Sequence, residues 1–463
     1  MIAFWNNQTF DWNIKFSFDE KTNVLRKSNM KLDFAHEQAT LTVELGKRNA
    51  LGTLTIKRGI AAAISALKGM GVRAIKADAS ELVALMGPTA IGALTLGAKQ
   101  TLHKPISFRH NKAENNDSAP SLFIECEASL KNSTTIAEAD ILAQSVLLAR
   151  DLVNTPANLL TPKILAERIA QDCAPHGISC QIFEEDFMRQ HNMGAFLAVG
   201  TSSGNRPRMI VLRYMGAPNS KEVTAIIGKA LTFDTGGYNL KPSSGMATMK
   251  CDMAGGASAF GTILALARNK VAANVVVVIP AAENRISRES FLPGDVLTTM
   301  AGLTVEIIST DAEGRLCMSD CMTYAIRHEG ATKLIDVATL TGSAVAALGK
   351  KTTATMTNDD TFYGQFLEAA KRSGEQYWQM PSFDEYYIMI EGQIADIKNA
   401  PESNSGVMAA GLFMEHFTEG LPWIHLDIAG TAFDTKPGYE FNQAGGTGAS
   451  IETLYSLFAT PSA

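Results

Sequence analysis

The sequence is poor in cysteine, and none of its cysteines form a CxxC pair. The six cysteines among its 463 residues are Cys126, Cys173, Cys180, Cys251, Cys317 and Cys321. A disulfide framework or a structural zinc site needs closely spaced pairs, so the sequence indicates neither. Cys317 and Cys321 have helical spacing and could bind a metal, but no second pair completes such a site. We interpret all six side chains as reduced thiols in the core.

Long apolar runs are also absent. No run approaches the roughly 18 residues that suggest a membrane-spanning helix. The first residues, MIAFWNNQTFDWNIKF, lack the order of basic, apolar and small residues that marks a signal peptide. We therefore expect a cytoplasmic protein without a membrane partner. The formal net charge of -6 gives no broad electrostatic reason to bind nucleic acid, and we expect no such partner.

Several familiar catalytic patterns are missing. The eight histidines are scattered and no HExxH occurs, which disfavours a histidine-based zinc site, and we interpret His425 as structural. No GxGxxG follows a strand-like run, so the sequence does not indicate a dinucleotide site. The pair Gly228 and Lys229 is not a P-loop, because Val223 replaces the first glycine and Ala230 replaces the Ser or Thr.

The composition and the pattern of the chain indicate an α/β protein. Hydrophobic residues make up 46% and charged residues 19%, which is typical of globular proteins, and the length suggests two domains. We expect a smaller N-terminal α/β domain over residues 1–150 and a larger catalytic domain over 151–463, where strands and helices alternate. Strand-like runs such as NVVVVIP carry no polar alternation, so we expect a mixed sheet covered by helices on both faces.

Charged residues suited to chemistry gather in three segments of the larger domain, each predicted to follow a strand or precede a helix. They are Lys229, Asp234 and Lys241 in GKALTFDTGGYNLKP, Asp252 in MKCDMAGGA, and Asp311, Glu313 and Arg315 in STDAEGRL. Singly, each acid is accounted for as a turn residue or as an acid at a helix N-terminus. Together the acids would repel one another unless cations held them. Four carboxylates suit a pair of divalent ions better than one ion.

The same segments resemble the leucyl aminopeptidase family, the cytosol aminopeptidases with two metal ions. STDAEGRL is similar to the family signature, which usually has Asn where this chain has Ser309. The resemblance continues through DLVNTPANLLTP, PGDVLTTMAG, IDVATLTG and HLDIAGTA, so it covers roughly residues 150–435. The first 150 residues match only in size and α/β character. Ala230 stands where the family usually has Gly and Thr235 where it has Ser, and neither change removes a ligand.

The resemblance implies a metal-dependent aminopeptidase that releases N-terminal residues, preferably leucine and other apolar ones, from peptide substrates. Its two divalent ions would be Mn²⁺ or Zn²⁺, and a hydroxide bridging them would attack the scissile carbonyl. Asp234 and Glu313 would bridge the ions. The full set of implied metal ligands is Lys229, Asp234, Asp252, Asp311 and Glu313. A lysine ligand must lose its proton, so metal binding would depend on pH.

Two further residues match the catalytic residues of the family that are not ligands. Lys241 would stabilise negative charge on the reacting carbonyl oxygen, and Arg315 would hold a bicarbonate ion that acts as general base. Backbone near Leu340 would line that anion site. Met249 and Gly342 fall at positions that line the pocket for the first substrate residue. The resemblance also implies a homohexamer.

Two other functions stay open on the sequence. Carboxylate-rich metal pairs also serve phosphoryl transfer, so a dinuclear metal phosphoesterase is one alternative, although its usual histidine ligands are missing. A DNA-binding structural or regulatory protein is the other. The acidic balance of the chain and the lack of a basic tract disfavour it.

Overall fold

A computed structural model describes residues 1–4, 11–19, 30–33, 39–68, 70–110, 120–126, 130–401 and 406–459, with 3–4 and 130–132 described by their backbone alone. The chain forms two compact units. The first comprises Met1–Leu147, Lys371–Gly374 and Thr435–Ala444. The second comprises Leu148–Ala370, Glu375–Asp434 and Gly445–Ala463.

The first unit is built on a six-stranded sheet. Its strands are β1 (Ile2–Phe4), β2 (Trp12–Ser17), β3 (Met30–Asp33), β4 (Ala39–Glu44), β5 (Ala74–Asp78) and β6 (Ser121–Glu125), and its helices include α1 (Thr53–Leu67), α2 (Ser80–Met86) and α3 (Pro88–Leu102). The strand order is β1-β6-β5-β2-β4-β3, and only β3 and β4 pair in antiparallel fashion. Apolar side chains from the sheet and from α1 and α3 form its core.

A single residue separates helices α2 and α3. Gly87 separates α2 from α3 and has a φ of +61°, a left-handed conformation that glycine adopts without the steric cost of a Cβ. Pro88 follows at the first position of α3, where its missing N–H would have no helical partner in any case. The Gly-Pro pair therefore ends one helix and begins the next.

Helices and strands alternate through the second unit. Helix α4 (Leu130–Asn154) runs from the first unit into the second. The strands that follow are β7 (Ser179–Phe183), β8 (Arg208–Met215), β9 (Thr224–Gly228), β10 (Ala230–Asp234), β11 (Asn274–Asn284), β12 (Val296–Thr298), β13 (Thr304–Glu306), β14 (Lys333–Ala338), β15 (Thr352–Thr357), β16 (Gln376–Gln379), β17 (Ile397–Lys398), β18 (Trp423–Asp427), β19 (Phe433–Asp434) and β20 (Gly445–Gly446). The helices are α5 (Pro162–Cys173), α6 (Glu185–Gln190), α7 (Gly194–Gly200), α8 (Ser243–Met246), α9 (Ala254–Arg268), α10 (Gly314–Glu329), α11 (Gly342–Leu348), α12 (Asp360–Ser373), α13 (Gly406–Glu415) and α14 (Ile451–Phe458).

The main sheet of this unit has nine strands in the order β16-β15-β18-β14-β9-β11-β8-β7, with β10 also paired to β11. Its centre is parallel, from β11 through β9 and β14 to β18. Antiparallel pairs join β7 to β8, β8 to β11 and β15 to β18. The sheet is therefore mixed, as the sequence predicted. Two small sheets, β12-β13-β17 and β19-β20, lie outside it.

Helices cover both faces of the main sheet. Every residue of β11 is buried. Val276 and Val278 belong to the same apolar cluster as Leu316 of α10. Ile279 points to the other face, where a Cβ on Gly256 of α9 would lie 2.9 Å from its Cγ2. The predicted class, α/β with a covered mixed sheet, is confirmed.

Local signals in the sequence set the ends of several helices. The hydroxyl of Thr161 accepts a hydrogen bond from the N–H of Ile164 (3.4 Å), and Pro162 is the first residue of α5. Helix α10 ends at Gly330, which has a φ of +66°. None of the helices in the described ranges is both long and apolar enough to cross a membrane. Four of the cysteines are buried thiols, namely Cys173, Cys251, Cys317 and Cys321.

Candidate metal centre

Lys229 lies at a break between two strands. Both β9 and β10 pair with β11, and Lys229 is the single residue between them. Its N–H donates to the carbonyl of Val337 in β14 (3.0 Å), and its carbonyl accepts from the N–H of Gly256 in α9 (2.7 Å). Its side chain is 3% exposed. Both backbone groups of Lys229 are therefore hydrogen-bonded, and its long side chain lies inside the protein.

Asp234 and Lys241 are brought together by the turn that follows β10. Asp234 is the last residue of β10, and its Oδ1 accepts from the N–H of Gly236 (2.8 Å). Gly236 has a φ of +85° and reverses the chain, so that the N–H of Lys241 reaches the carbonyl of Thr235 (3.0 Å). Nζ of Lys241 then lies 2.8 Å from Oδ2 of Asp234.

Asp252 follows a single 3₁₀ turn and directly precedes α9. Its carbonyl accepts from the N–H of Leu231 in β10 (3.1 Å). Its Oδ1 accepts from the hydroxyl of Thr339 (2.7 Å), which lies in the loop after β14. The carboxylate is buried. Contacts with β10 and with the loop after β14 thus fix the position of Asp252 and the direction of its side chain.

The segment from Asp311 to Arg315 does not follow a strand of the main sheet. The apolar run LTVEII that precedes it contributes only the three residues of β13, which pairs with β12 and β17 in a small sheet. Glu313 is instead the N-cap residue of α10, and its carbonyl accepts from the N–H of Cys317 (3.1 Å). Glu313 is buried, whereas Asp311 is exposed.

The acids from these separate segments converge on one place. One carboxylate oxygen from each of Asp234, Asp252 and Glu313 lies within 4.8 Å of the other two. Nζ of Lys229 lies 2.9 Å from Asp252 Oδ2 and 2.9 Å from Glu313 Oε1. Lys241 forms ion pairs with Asp234 and Asp311. Six of the seven residues that the sequence singled out therefore form one connected cluster.

The cluster carries more negative than positive charge. Four carboxylates face two ammonium groups, so full ionisation leaves two negative charges uncompensated. Burial, together with the neighbouring carboxylates, raises the pKa of Asp252 to about 8. Asp311 keeps contact with solvent on one side, but desolvation by the protein on the other side and the carboxylates of Glu313 and Asp234 raise its pKa to about 6. Burial works against the charge of Glu313 as well, but Lys229 and Lys241 lower the pKa of that carboxyl. A buried excess of carboxylate charge favours a bound cation.

Both lysines are charged in the protein without metal. Burial disfavours their ammonium forms, but the surrounding carboxylates more than offset that cost and raise the pKa of Lys229 and of Lys241. The two ammonium groups therefore partly compensate the negative charge of the carboxylates. A divalent ion that binds through Lys229 has to displace a proton from its amine.

Arg315 lies apart from the ion pairs and is 4% exposed. Its Nε and Nη1 have no hydrogen-bond partner among the described residues, and its Cζ lies 6.0 Å from the centroid of the Phe413 ring. Burial lowers the pKa of its guanidinium to about 10. Buried donors without acceptors are costly, so the two nitrogens are suited to an anion that enters the site.

The sequence did not single out several residues that hold this cluster. Asn284, at the end of β11, contacts Asp234 and Glu313 through its side-chain nitrogen. Asp427, at the end of β18, accepts from the N–H of Leu340 (3.1 Å) and from the hydroxyl of Thr341 (2.6 Å). Both are polar residues at the carboxyl ends of apolar strands. Ligands of such sheets usually bind at that end of the strands, so the position of these two residues in the sequence was the signal that pointed to them.

Three other residues named from the sequence lie outside the ion-pair cluster. His425 is buried, and its Nδ1 lies 2.6 Å from Oδ1 of Asp336, which agrees with a structural residue. Met249 begins the 3₁₀ turn before Asp252 and is partly exposed. Gly342 is the first residue of α11 and is exposed.

Comparison with known proteins identifies relatives over nearly the whole chain. Residues 147–455 match the model of the cytosol aminopeptidase family, catalytic domain. A protein of Clostridium perfringens named "Probable cytosol aminopeptidase" is 40% identical over 448 residues, which is 96% of this chain and 90% of the relative. A protein of the same name from Alkaliphilus metalliredigens is 46% identical over 325 residues, 70% of this chain and 64% of the relative.

Solved structures share the fold. The bottromycin maturation enzyme BotP is similar with a TM-score of 0.86 and 29% sequence identity, over 97% of this chain and 99% of that chain. A second structure of BotP, in complex with Mn, gives the same values. The matched family model spans more than half of this chain and includes every residue of the cluster. The chain therefore belongs to the cytosol aminopeptidase family, whose members are metal-dependent hydrolases of the leucyl aminopeptidase type.

Proposed function

We propose that this protein is a metal-dependent aminopeptidase that removes N-terminal residues from peptides with two divalent ions per subunit. The observation that carries the proposal is the convergence of three buried carboxylates within 4.8 Å, flanked by two lysines. No ordinary structural role needs so many like charges in one buried place. The domain that carries the chemistry is residues 151–463, and 1–150 form a separate N-terminal domain.

The donor atoms of the cluster fit divalent metal. Oδ2 of Asp234 and Oδ2 of Asp252 are buried, and each is paired with a lysine nitrogen, at 2.8 Å and 2.9 Å, so both oxygens already face a cationic group. Carboxylate oxygens suit Mn²⁺, and with a neutral amine they also suit Zn²⁺. The complex of BotP with Mn supports the first choice. The ligands we propose are Lys229, Asp234, Asp252, Asp311 and Glu313, with Asp234 and Glu313 shared between the two ions.

The ions would supply a water activated near neutral pH and a Lewis acid for the scissile carbonyl. The chain provides the arrangement around them. Glu313 contacts Lys229, Asp234 contacts Lys241, and one oxygen of each acid lies within 4.8 Å of the other, so this pair of carboxylates would be suited to be shared ligands. The amine of Lys229 has to be neutral to coordinate, and proton loss from it accompanies metal binding.

Lys241 keeps its proton and has a different role. Its side chain is 20% exposed, unlike that of Lys229, so substrate can reach its ammonium group. We assign it to the carbonyl oxygen of the substrate, where negative charge develops during attack. Donors that are placed in advance at such a position contribute about 3 kcal/mol to lowering the barrier.

Arg315 is assigned to an anion, and we propose bicarbonate acting as general base. The two unpartnered nitrogens of its guanidinium support this assignment. Asp427 fixes the adjacent turn, because it accepts hydrogen bonds from Leu340 and Thr341. A proton acceptor held by Arg315 would also account for a site built without a histidine in its cluster.

The substrate we propose has an apolar first residue, preferably leucine. Met249 and Gly342 support this preference, since an apolar side chain and an exposed glycine leave room for an aliphatic group. The resemblance to the leucyl aminopeptidases supports a homohexamer, and the name of the relatives supports the cytoplasm as its location.

Hydrolysis of leucine p-nitroanilide tests the proposal directly. Activity should require Mn²⁺ or Zn²⁺, disappear on chelation and return on adding the metal. Nitrophenyl phosphate, assayed in parallel, should not be cleaved. Turnover without metal, or cleavage of the phosphate ester alone, would contradict an aminopeptidase.

A further inference from the structure

We infer that Asn284 is a positioning residue that sets the separation of Asp234 and Glu313. This inference rests on the proposed function, in which these two carboxylates are shared between the metal ions. Asn284 is the last residue of β11 and is completely buried. It would not be a ligand itself. Its role would be to hold two like charges at a fixed distance.

The side-chain nitrogen of Asn284 is surrounded by acceptors. Its Nδ2 donates to Oδ1 of Asp234 (2.9 Å) and to the carbonyl of Thr310 (3.0 Å). Oε2 of Glu313 lies 3.4 Å from the same nitrogen. Because none of these three oxygens can donate a hydrogen bond, the amide atom that faces them must be the nitrogen. One neutral group therefore links both shared carboxylates.

The backbone of Asn284 also holds the residue after Asp234. Its carbonyl accepts from the N–H of Thr235 (3.0 Å) and from the hydroxyl of Thr235 (2.9 Å). Asp234 is thus fixed through its own oxygen and through the peptide that follows it. A shift of Asn284 would move the turn that carries Lys241 as well.

The segment before Glu313 is tied to that same turn. The hydroxyl of Thr310 donates to the carbonyl of Gly236 (2.7 Å), and the N–H of Thr310 donates to Oδ1 of Asn239 (2.8 Å). Since Thr310 also accepts from Asn284, three segments of the chain meet at this amide. They are the turn after β10, the end of β11 and the loop that precedes α10.

An amide suits this position better than a charged side chain. A lysine or arginine would neutralise the carboxylates and compete with the metal, and an aspartate would add to the repulsion. The N–H groups of asparagine orient both acceptors while leaving their charge available to a cation. Groups that orient metal ligands commonly change metal affinity about 10- to 100-fold when they are removed.

The same strand offers a matched control. Asn274, at the opposite end of β11, is also buried, and its Nδ2 donates to the carbonyls of Ala217 (2.9 Å) and Ser220 (3.0 Å). N284A and N274A therefore remove the same chemical group from the same strand. Only the first change touches the carboxylate cluster.

The experiment is calorimetric titration of Mn²⁺ into chelator-treated full-length protein. We expect N284A to raise the Kd for Mn²⁺ about 10- to 100-fold and N274A to leave it within about twofold of the wild type. Circular dichroism should show that both variants are folded. If N284A binds Mn²⁺ like the wild type, or if N274A weakens binding as much, the inference is wrong.

A milder variant covers the case in which N284A does not fold. Thr235→Val removes the hydroxyl that donates to the carbonyl of Asn284 and should raise the Kd for Mn²⁺ about fivefold, the effect of one ordinary hydrogen bond. Wild-type affinity in T235V would then contradict the inference. A wild-type protein that binds no Mn²⁺ would overturn the proposed function instead, so the two failures are distinguishable.

Discussion

Nζ of Lys229 lies 2.9 Å from Oε1 of Glu313, and the next residue, Gly314, leaves the space for this contact. A Cβ built on Gly314 would lie 2.7 Å from that Nζ and 2.7 Å from Cδ of Lys229. Helix α10 can begin beside the lysine only because this position has no side chain.

We therefore predict that Gly314→Ala displaces the amine of Lys229 and weakens Mn²⁺ binding at least about 10-fold, the size of effect seen when the orientation of a ligand is disturbed. Gly330→Ala, at the other end of α10, is the control. Its φ of +66° makes alanine cost about 1 kcal/mol of stability. It should leave Mn²⁺ affinity unchanged. Equal metal affinity in the two variants would contradict the steric argument.

The roles proposed for Glu313 and Arg315 predict that their alanine variants lose different properties. Glu313→Ala should lose metal and activity together, because it removes a shared ligand. Arg315→Ala should keep its metal while turnover falls about 100-fold, the typical effect of removing a group that acts in the transition state. Metal analysis of the purified variants, alongside kcat for leucine p-nitroanilide, separates the two outcomes. Full activity in Glu313→Ala would rule out its assignment as a ligand.

The excess negative charge of the cluster predicts that metal stabilises the folded protein. At a free concentration 100 times its Kd, a ligand that binds only the folded state adds about 2.7 kcal/mol to the free energy of unfolding. Thermal unfolding of chelator-treated protein should therefore shift upward on adding Mn²⁺. Asp252→Asn, which removes one buried carboxylate charge, should reduce the shift. A Tm independent of Mn²⁺ in the wild type would argue against a metal centre.

The buried pair of His425 and Asp336 predicts a dependence of stability on pH. Burial opposes a charge on His425, but Asp336, whose Oδ1 is 2.6 Å away, more than compensates and raises the pKa of the imidazole above its usual 6.5. A raised pKa in the folded state stabilises it fully below about pH 6.5. That contribution is lost as the pH rises through the folded-state pKa.

Denaturant unfolding of the wild type and of His425→Gln between about pH 6 and pH 9 measures this contribution. The free energy of unfolding should fall with rising pH more steeply in the wild type than in the variant. The difference between the two proteins isolates the imidazole from the other titrating groups. Parallel curves would mean that the pKa of His425 is the same in the folded and the unfolded protein, which would contradict the prediction.

Local patterns in the sequence predicted much of the second unit because its elements are specified by their own residues. Thr161 and Pro162 mark the start of α5, and Gly330 marks the end of α10. The apolar run VVVVIP within β11 indicated a covered sheet. The residue types of the cluster were also evident, since acids and lysines that gather near the ends of apolar strands are typical of a ligand site.

The pairings between segments that are distant in the sequence could not be predicted from it. Strand β13 leaves the main sheet because it pairs with β12 and with the two residues of β17, far along the chain. No local pattern in LTVEII indicates that choice. Asn284 was overlooked for the same reason, since its importance lies in contacts with Asp234 and Thr310 from two other segments.

The break between β9 and β10 also fixes the number of residues in the segment 224–234. Lys229 donates through its N–H to Val337 and accepts through its carbonyl from Gly256, so the peptide groups on both sides of its Cα are engaged. An inserted or deleted residue before Asp234 would turn every later side chain of β10 to the opposite face of the sheet. Residues 224–234 should therefore tolerate no insertion or deletion.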